Sequence, residues 1–282
     1  MTDTKITALI LTKNEELAIE KTASAVRFCD QVIVVDSAST DKTVALARQQ
    51  GAEIVNFTWN GGYPKKKQWA LEIPSIKNDW VLLLDADEIV SDALAREILR
   101  KVSTTTSSVA AYDIGLEYHF AGRALRHGHT ISKRSLLNRT LCFFPEVGDL
   151  GAPGITEVEG HYQPRVNGEV STLTERLIHE DPDPLSSWIG RHNKYSDWEA
   201  FLIDNPRVRG EVRSSRSRQG RVFERMPAKP LFFFVYCYVV RLGFLDGRAG
   251  FDYAFGLAWY YWLTGAKVRE RRRDRRSAND RF

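Results

Sequence analysis

Two aspartates one residue apart, Asp85 and Asp87, follow the apolar run Trp80-Val81-Leu82-Leu83-Leu84. Carboxylates that close repel one another unless a cation lies between them. Mg2+ or Mn2+ removes that repulsion by taking oxygen ligands, and leaves coordination positions for substrate phosphate oxygens; the alternative is a solvated acidic turn that caps a helix. Another acid, Asp36, ends the run Gln31 to Val35, and Thr12-Lys13-Asn14-Glu15 ends the run Ile6 to Leu11. Three strand ends would thus bring polar groups to one crevice, with Asp36 placed to bond a base or ribose. Lys65-Lys66-Lys67 follows Gly61-Gly62 and opens a helix, where ammonium and backbone N–H groups could meet a diphosphate. A solvated charge run is the competing reading of that triplet. No Gly-x-Gly-x-x-Gly follows the first strand and no Walker A lysine occurs, which argues against a dinucleotide or P-loop site.

The elements that must position these groups read as strands at Ile6 to Leu11, Gln31 to Val35, Glu53 to Phe57 and Trp80 to Leu84. Helices fall between them, at Glu15 to Phe28, Asp41 to Gln49 and Tyr63 to Leu71, and after them at Asp92 to Val102. Ser39 or Thr40 is expected to cap the second helix, Gly51 to end it and Ser91 to cap the fourth. This alternation predicts an α/β fold with a mainly parallel sheet covered on both sides. The polar stretch Ser103 to Ser108 marks a boundary. Beyond it, short strands at Ala111 to Tyr118, Leu141 to Phe144 and Val170 to Leu173 predict a mixed extension of the sheet, followed by a helix over Trp188 to Asp204.

The chain has 282 residues, of which 43% are hydrophobic and 27% charged, enough to bury a substantial core. Mean hydropathy of -0.34 excludes a polytopic membrane protein. Cys29, Cys142 and Cys237 are odd in number and far apart, which suggests neither a disulfide framework nor a zinc site. Net charge is +4, but Lys267 to Phe282 holds eight Lys or Arg against three Asp or Glu, so the basic excess belongs to the tail. Arg207 to Lys229 is also rich in arginine. Leu231 to Val240 and Phe251 to Leu263 are apolar but shorter than the ~20 residues that span a bilayer. With cations on both flanks they suit helices lying in a membrane interface, the alternative being a buried terminal pair with a solvated tail.

Several motifs together resemble the family 2 glycosyltransferases of the GT-A fold. They are Ala8-Leu9-Ile10-Leu11-Thr12-Lys13-Asn14-Glu15, Val35-Asp36-Ser37-Ala38-Ser39-Thr40-Asp41 and Leu84-Asp85-Ala86-Asp87-Glu88. Within that family the chain is most similar to the branch containing lipopolysaccharide core β-glucosyltransferases. That similarity rests on Trp59-Asn60-Gly61-Gly62-Tyr63 with Lys67-Gln68, Leu177-Ile178-His179, Asn193-Lys194-Tyr195-Ser196 and Gly243 to Phe251. The resemblance implies a GT-A, Rossmann-like catalytic domain over 1–205, with a nucleotide-sugar half to about 105 and an acceptor half beyond. It implies a membrane-associating helical region over 206–266 and a basic tail over 267–282. Thr12, Asn14, Glu15 and Asp36 would hold the nucleotide, Lys67 the diphosphate, and Asp85 the ribose. Asp87 and His179 would hold Mg2+ or Mn2+, although a lone histidine can also be a satisfied loop residue.

Inverting transfer needs one general base within reach of the acceptor hydroxyl. The branch presents a His-Glu pair before a short strand, which aligns here with Thr156-Glu157, so the histidine is missing. Glu157 is the first choice, with Glu159, Glu146 and Asp149 as rivals and a surface hairpin carboxylate as the non-catalytic alternative. The expected reaction moves a hexose, with UDP-glucose the best guess of donor, onto a lipid-linked saccharide at the cytoplasmic face of the membrane. The rivals are a nucleotidyltransferase, a polyprenyl-phosphate glycosyltransferase, and a basic nucleic-acid-binding module, the last disfavoured because the tail lacks interleaved aromatics.

Overall fold

The computed structural model describes residues 5–159, 162–214 and 228–279. The arginines between 215 and 227 of the basic stretch lie outside the described residues. Nine strands form one sheet in the order β3-β2-β1-β4-β8-β6-β11-β5, with β7 on β6. Four strands make the parallel half: β1 (Ile6–Thr12), β2 (Gln31–Asp36), β3 (Glu53–Asn56) and β4 (Trp80–Asp85). Helices α1 (Ile19–Ala25), α2 (Thr43–Gln49) and α3 (Lys66–Leu71) connect them. Side chains of β1 alternate between two cores, as a strand covered on both faces requires. Ile6, Ala8 and Ile10 pack with α1 and with α4 (Asp92–Ser103), while Leu9 and Leu11 pack toward α3 and α5 (Leu185–Asp204).

The second half of the sheet is mixed, as expected. β6 (Val109–Phe120) and β8 (Ser132–Asn138) are antiparallel to each other, and β8 joins β4 antiparallel. β7 (Arg123–Leu125) folds back on β6, and β11 (Glu169–Glu180) runs parallel to it. β5 (Glu88–Ile89) turns back from β4 and pairs antiparallel with the end of β11. β9 (Cys142–Phe143) and β10 (Arg165–Val166) form a separate ribbon.

Ser91 caps α4 by accepting from Leu94 N at 3.2 Å, and Gly51 ends α2 with φ of +84°. The expected Ser39 or Thr40 cap on α2 is not made. Ser39 Oγ is committed to Asp36 and Asn14, and Asp41 Oδ1 accepts the Thr43 N–H at 3.0 Å instead.

After α6 (Pro206–Ser214), the C-terminal region holds α7 (Lys229–Val235), which continues as one π-helical turn over Tyr236–Val240. A 3-10 turn (Gly243–Asp246) then leads into α8 (Gly247–Asn279). α8 runs unbroken across the tail boundary expected near residue 266. It packs on α5 where Gly256 leaves room for the Trp188 ring; a Cβ there would lie 2.7 Å from that ring. Of the cations expected to face lipid, Arg272 and Arg275 reach Asp204 of α5 at 3.2 and 3.9 Å, and nearby Lys267 reaches Asp197 at 2.7 Å. No single helix among the described residues is long and apolar enough to cross a membrane. Lys229–Val240 and Gly243–Ser277 meet that criterion only as a pair, bent by 72°.

Candidate active site

The carboxyl ends of β1, β2 and β4 lie side by side, with Thr12 registered on Asp36 and Leu11 on Asp85. Asp36 is buried and anchors one end of the crevice: Thr12 Oγ1 donates to it at 3.1 Å, Ser39 N at 2.9 Å and Ser39 Oγ at 2.5 Å. Asn14 N donates to Ser39 Oγ, and Asn14 Oδ1 accepts from Thr40 N, both at 2.8 Å. Those bonds hold Asn14 and Ala38 in the left-handed region, with φ of 58° and 57°. Such strain is uncommon away from functional loops. Ser37 Oγ is buried with no hydrogen-bond partner among the described residues.

The acids at the end of β4 part company. Asp85 and Glu88 both accept from Lys133 Nζ on β8, at 2.6 Å for Asp85 and 2.7 Å for each Glu88 oxygen. Despite the burial of its surroundings, Lys133 holds the Asp85 carboxyl well below the usual carboxylate range. Asp87 instead turns toward His179: because β5 pairs Glu88 with His179, the imidazole Nδ1 sits 3.4 Å from Asp87 Oδ1. That nitrogen is buried and makes no hydrogen bond among the described residues. Burial alone would depress the imidazole, but Asp87, Glu88 and Asp85 outweigh it and raise its pKa. A site that favours positive charge, with a carboxylate oxygen and an imidazole nitrogen facing each other, fits Mg2+ or Mn2+. No cluster of three or more His, Cys, Asp or Glu suited to a metal is present among the described residues. A divalent ion held there would take its other ligands from substrate oxygens or solvent.

Glu15 opens onto the same acidic corner. Burial, then the charges of Asp87, Asp183 and Asp181, push its carboxyl up to about 8 from 4.5. Between those values the folded chain keeps a proton that the unfolded chain releases, so stability falls as pH rises from about 4.5 to 8. Melting temperatures across this range should decline more steeply for the native chain than for Glu15→Gln; parallel profiles would contradict the assignment.

The lysine triplet is not a solvated run. Lys65 pairs with Asp149 at 3.2 Å, both buried, and Trp198 Nε1 donates to Asp149 at 3.0 Å. Lys66, also buried, donates to the Thr12 carbonyl at 2.6 Å and lies 3.6 Å from Glu157 Oε1. The N–H groups of Lys67 and Gln68, expected to meet a diphosphate, both donate to the Glu159 carboxylate at 2.8 Å. The Lys67 ammonium lies 6.0 Å from the centre of the Phe144 ring. Glu159 and Asp149, rivals for the base, thus have structural partners, and Glu146 is exposed. Glu157 is tied to the end of β1 through Lys66 and lies 3.8 Å from Lys13 Nζ.

Lys133 escaped the sequence reading. Its signal was weak, a lysine in the charged start of Ser-Lys-Arg-Ser-Leu-Leu-Asn, and only the β4–β8 pairing reveals it.

Parallel strands ending in an acid-lined crevice, continued by a mixed sheet, define a GT-A-like α/β enzyme fold. The model of the family described as Glycosyl transferase family 2 matches residues 7–151. The chain belongs to that family, and it is a glycosyltransferase. Among curated relatives, an uncharacterized glycosyltransferase of Rickettsia bellii is 29% identical over 277 residues, covering 94% of this chain and 86% of the relative. The lipopolysaccharide core biosynthesis glycosyltransferase LpsC of Rhizobium meliloti is 26% identical over 276 residues, covering 94% and 92%. Among solved structures, glucosyl-3-phosphoglycerate synthase from Mycobacterium tuberculosis with Mg2+ and UDP aligns at a TM-score of 0.44 and 18% identity, covering 71% of this chain and 79% of that one. S. aureus TarS 1-349 aligns at 0.41 and 14%, covering 93% and 92%.

Proposed function

We propose that this glycosyltransferase moves a hexose, with inversion, from a nucleoside diphosphate sugar to a hydroxyl of a lipid-linked saccharide at the cytoplasmic face of the membrane. The observation that carries the reading is the convergence of Thr12, Asp36 and Asp85 on one crevice that also holds the facing pair Asp87 and His179. The similarity to LpsC over nearly the whole of both chains supports a lipopolysaccharide core acceptor, and UDP-glucose is the donor chosen for testing.

Asp36 and the Asn14 loop receive the nucleoside, and Asp85, fixed by Lys133, meets the ribose. Asp87 and His179 would hold the divalent ion, which when bound supplies charge stabilisation to a departing diphosphate. Lys67 adds its ammonium on the diphosphate side. Glu157 removes the acceptor proton as the hydroxyl oxygen bonds to the anomeric carbon and the carbon–oxygen bond to the diphosphate breaks. One displacement by one base inverts the anomeric configuration.

Glu157→Gln is therefore expected to lower turnover by about 10²- to 10⁴-fold while nucleotide affinity is kept. The assay is release of nucleoside diphosphate from UDP-glucose with core saccharide as acceptor, and the product anomer is read by NMR. Turnover within a few-fold of the native chain would place the base elsewhere.

The membrane reading rests on the C-terminal face. Leu231, Val239, Val240, Leu242, Phe244 and Leu245 are exposed around the bend between α7 and α8. Apolar side chains gathered in this way suit a bilayer interface better than water.

A further inference from the structure

A second cavity, of about 260 Å3, lies at the bend, away from the crevice. Three guanidinium side chains line it: Arg126 from the loop after β7, Arg176 from β11 and Arg241 from the bend itself. The guanidinium groups of Arg126 and Arg176 make no hydrogen bond or ion pair among the described residues. Arg241 donates only to neutral oxygens, Thr130 Oγ1 at 3.3 Å and the Gly128 carbonyl at 3.4 Å. The nearby acid, Asp246, is already bound at both oxygens by the His127 N–H and imidazole, at 2.8 and 2.9 Å. Uncompensated positive charge therefore gathers here. Arg241, after burial, helps hold the neighbouring His129 imidazole down at about 4.

The cavity is built rather than incidental. Gly128 N donates to the Arg241 carbonyl at 2.9 Å, fastening the loop to the bend. Leu242 adopts φ of 59°, a costly conformation for a leucine. Val240 and Leu242 form the cavity's rim and are themselves exposed, at 63% and 45%. Phe244 and Leu245 continue the exposed apolar surface beyond them.

Guanidinium groups beside apolar side chains match the layering of a bilayer, where phosphates lie just above the acyl chains. Arginine presents a planar fork of donors suited to phosphate oxygens. We propose that this cavity seats the phosphate of an anionic phospholipid headgroup while the side chains at its rim enter the acyl layer. The proposal deepens the membrane reading above and rests on it. It assigns the anionic-lipid contact to the bend, whereas several α8 cations are spent on α5.

The test is co-sedimentation of the full chain with phosphatidylcholine vesicles, with and without phosphatidylglycerol as about a third of the lipid. Phosphatidylglycerol is expected to strengthen binding, and Arg126→Gln/Arg176→Gln to remove most of that gain. Each surface cation is worth about a factor of five, so the double loss is roughly 25-fold. Arg126→Gln alone, on an exposed loop, should cost about fivefold and guards against misfolding of the double variant. The control is Arg271→Gln/Arg273→Gln on α8, which should cost much less. An equal loss in the control would mean diffuse attraction and overturn the cavity assignment. So would equal binding to both vesicle types in the native chain, although that would leave the membrane reading intact. Binding to neither would sink both. Inorganic phosphate is tried as a soluble probe: a melting shift abolished by the double variant, without any preference for phosphatidylglycerol, would make this a free-phosphate site and reject the lipid.

Discussion

Asp87→Asn is expected to lower sugar transfer by about a thousandfold, a loss of about 4 kcal/mol in transition-state stabilisation, with the melting temperature nearly unchanged. The carboxylate is partly exposed, and its ion-pair partner among the described residues is the His179 imidazole at 3.4 Å. The bond from Glu180 N, at 3.0 Å, goes to the Asp87 carbonyl, which asparagine retains. Structure therefore loses little, while the site loses the anionic oxygen that a divalent ion needs. His179→Ala should fail in the same step, so the double variant should be little worse than the worse single one. Native turnover in Asp87→Asn would reject the metal assignment.

The second large effect is on stability. Lys65→Met should cost about 3–5 kcal/mol, because it strands a charge in the interior. Lys65 and Asp149 are 3% and 2% exposed, and once the ammonium is gone the carboxylate keeps, among the described residues, only the Trp198 N–H. For a chain of this size the melting temperature should fall by roughly 6 to 20 °C. Lys65→Met/Asp149→Leu should recover part of the loss, since no charge is then buried. The indole N–H is left unpaired, which costs about 1–3 kcal/mol and prevents full recovery. A fall below about 1 kcal/mol in the single variant would show that the pair is solvated in solution.

The parallel half of the sheet was legible because β1, β2 and β4 are unbroken apolar runs that end abruptly in polar residues. The same pattern located Thr12, Asp36, Asp85 and Asp87. What stayed hidden depends on contacts distant in sequence. β8 begins with Ser132-Lys133-Arg134, which reads as loop; its charges are tolerated because Lys133 meets Asp85 and Glu88, and Arg134 meets Asp113 at 2.9 Å. β5 is two residues long and carries no periodicity, yet its pairing with β11 is what brings His179 to Asp87. The lysine triplet looked solvated or phosphate-facing because its partners, Asp149, Glu157 and Glu159, lie more than 80 residues away. In the C-terminal region, composition marked an apolar pair and a basic tail. It could not show that one helix, α8, carries the second apolar segment and the tail together, nor that α5 supplies acids for several of the cations.

The central claim is that Asp87 and His179 hold a divalent ion against the diphosphate of a nucleotide in the crevice. The most direct measurement is calorimetric titration of the native chain with UDP, GDP, ADP and CMP, each in Mn2+ and again in EDTA. One nucleoside diphosphate should bind in Mn2+ and weaken by at least about tenfold in EDTA, equivalent to about 1.4 kcal/mol; that difference should vanish in Asp87→Asn. Equal affinity with and without the metal in the native chain would contradict the claim.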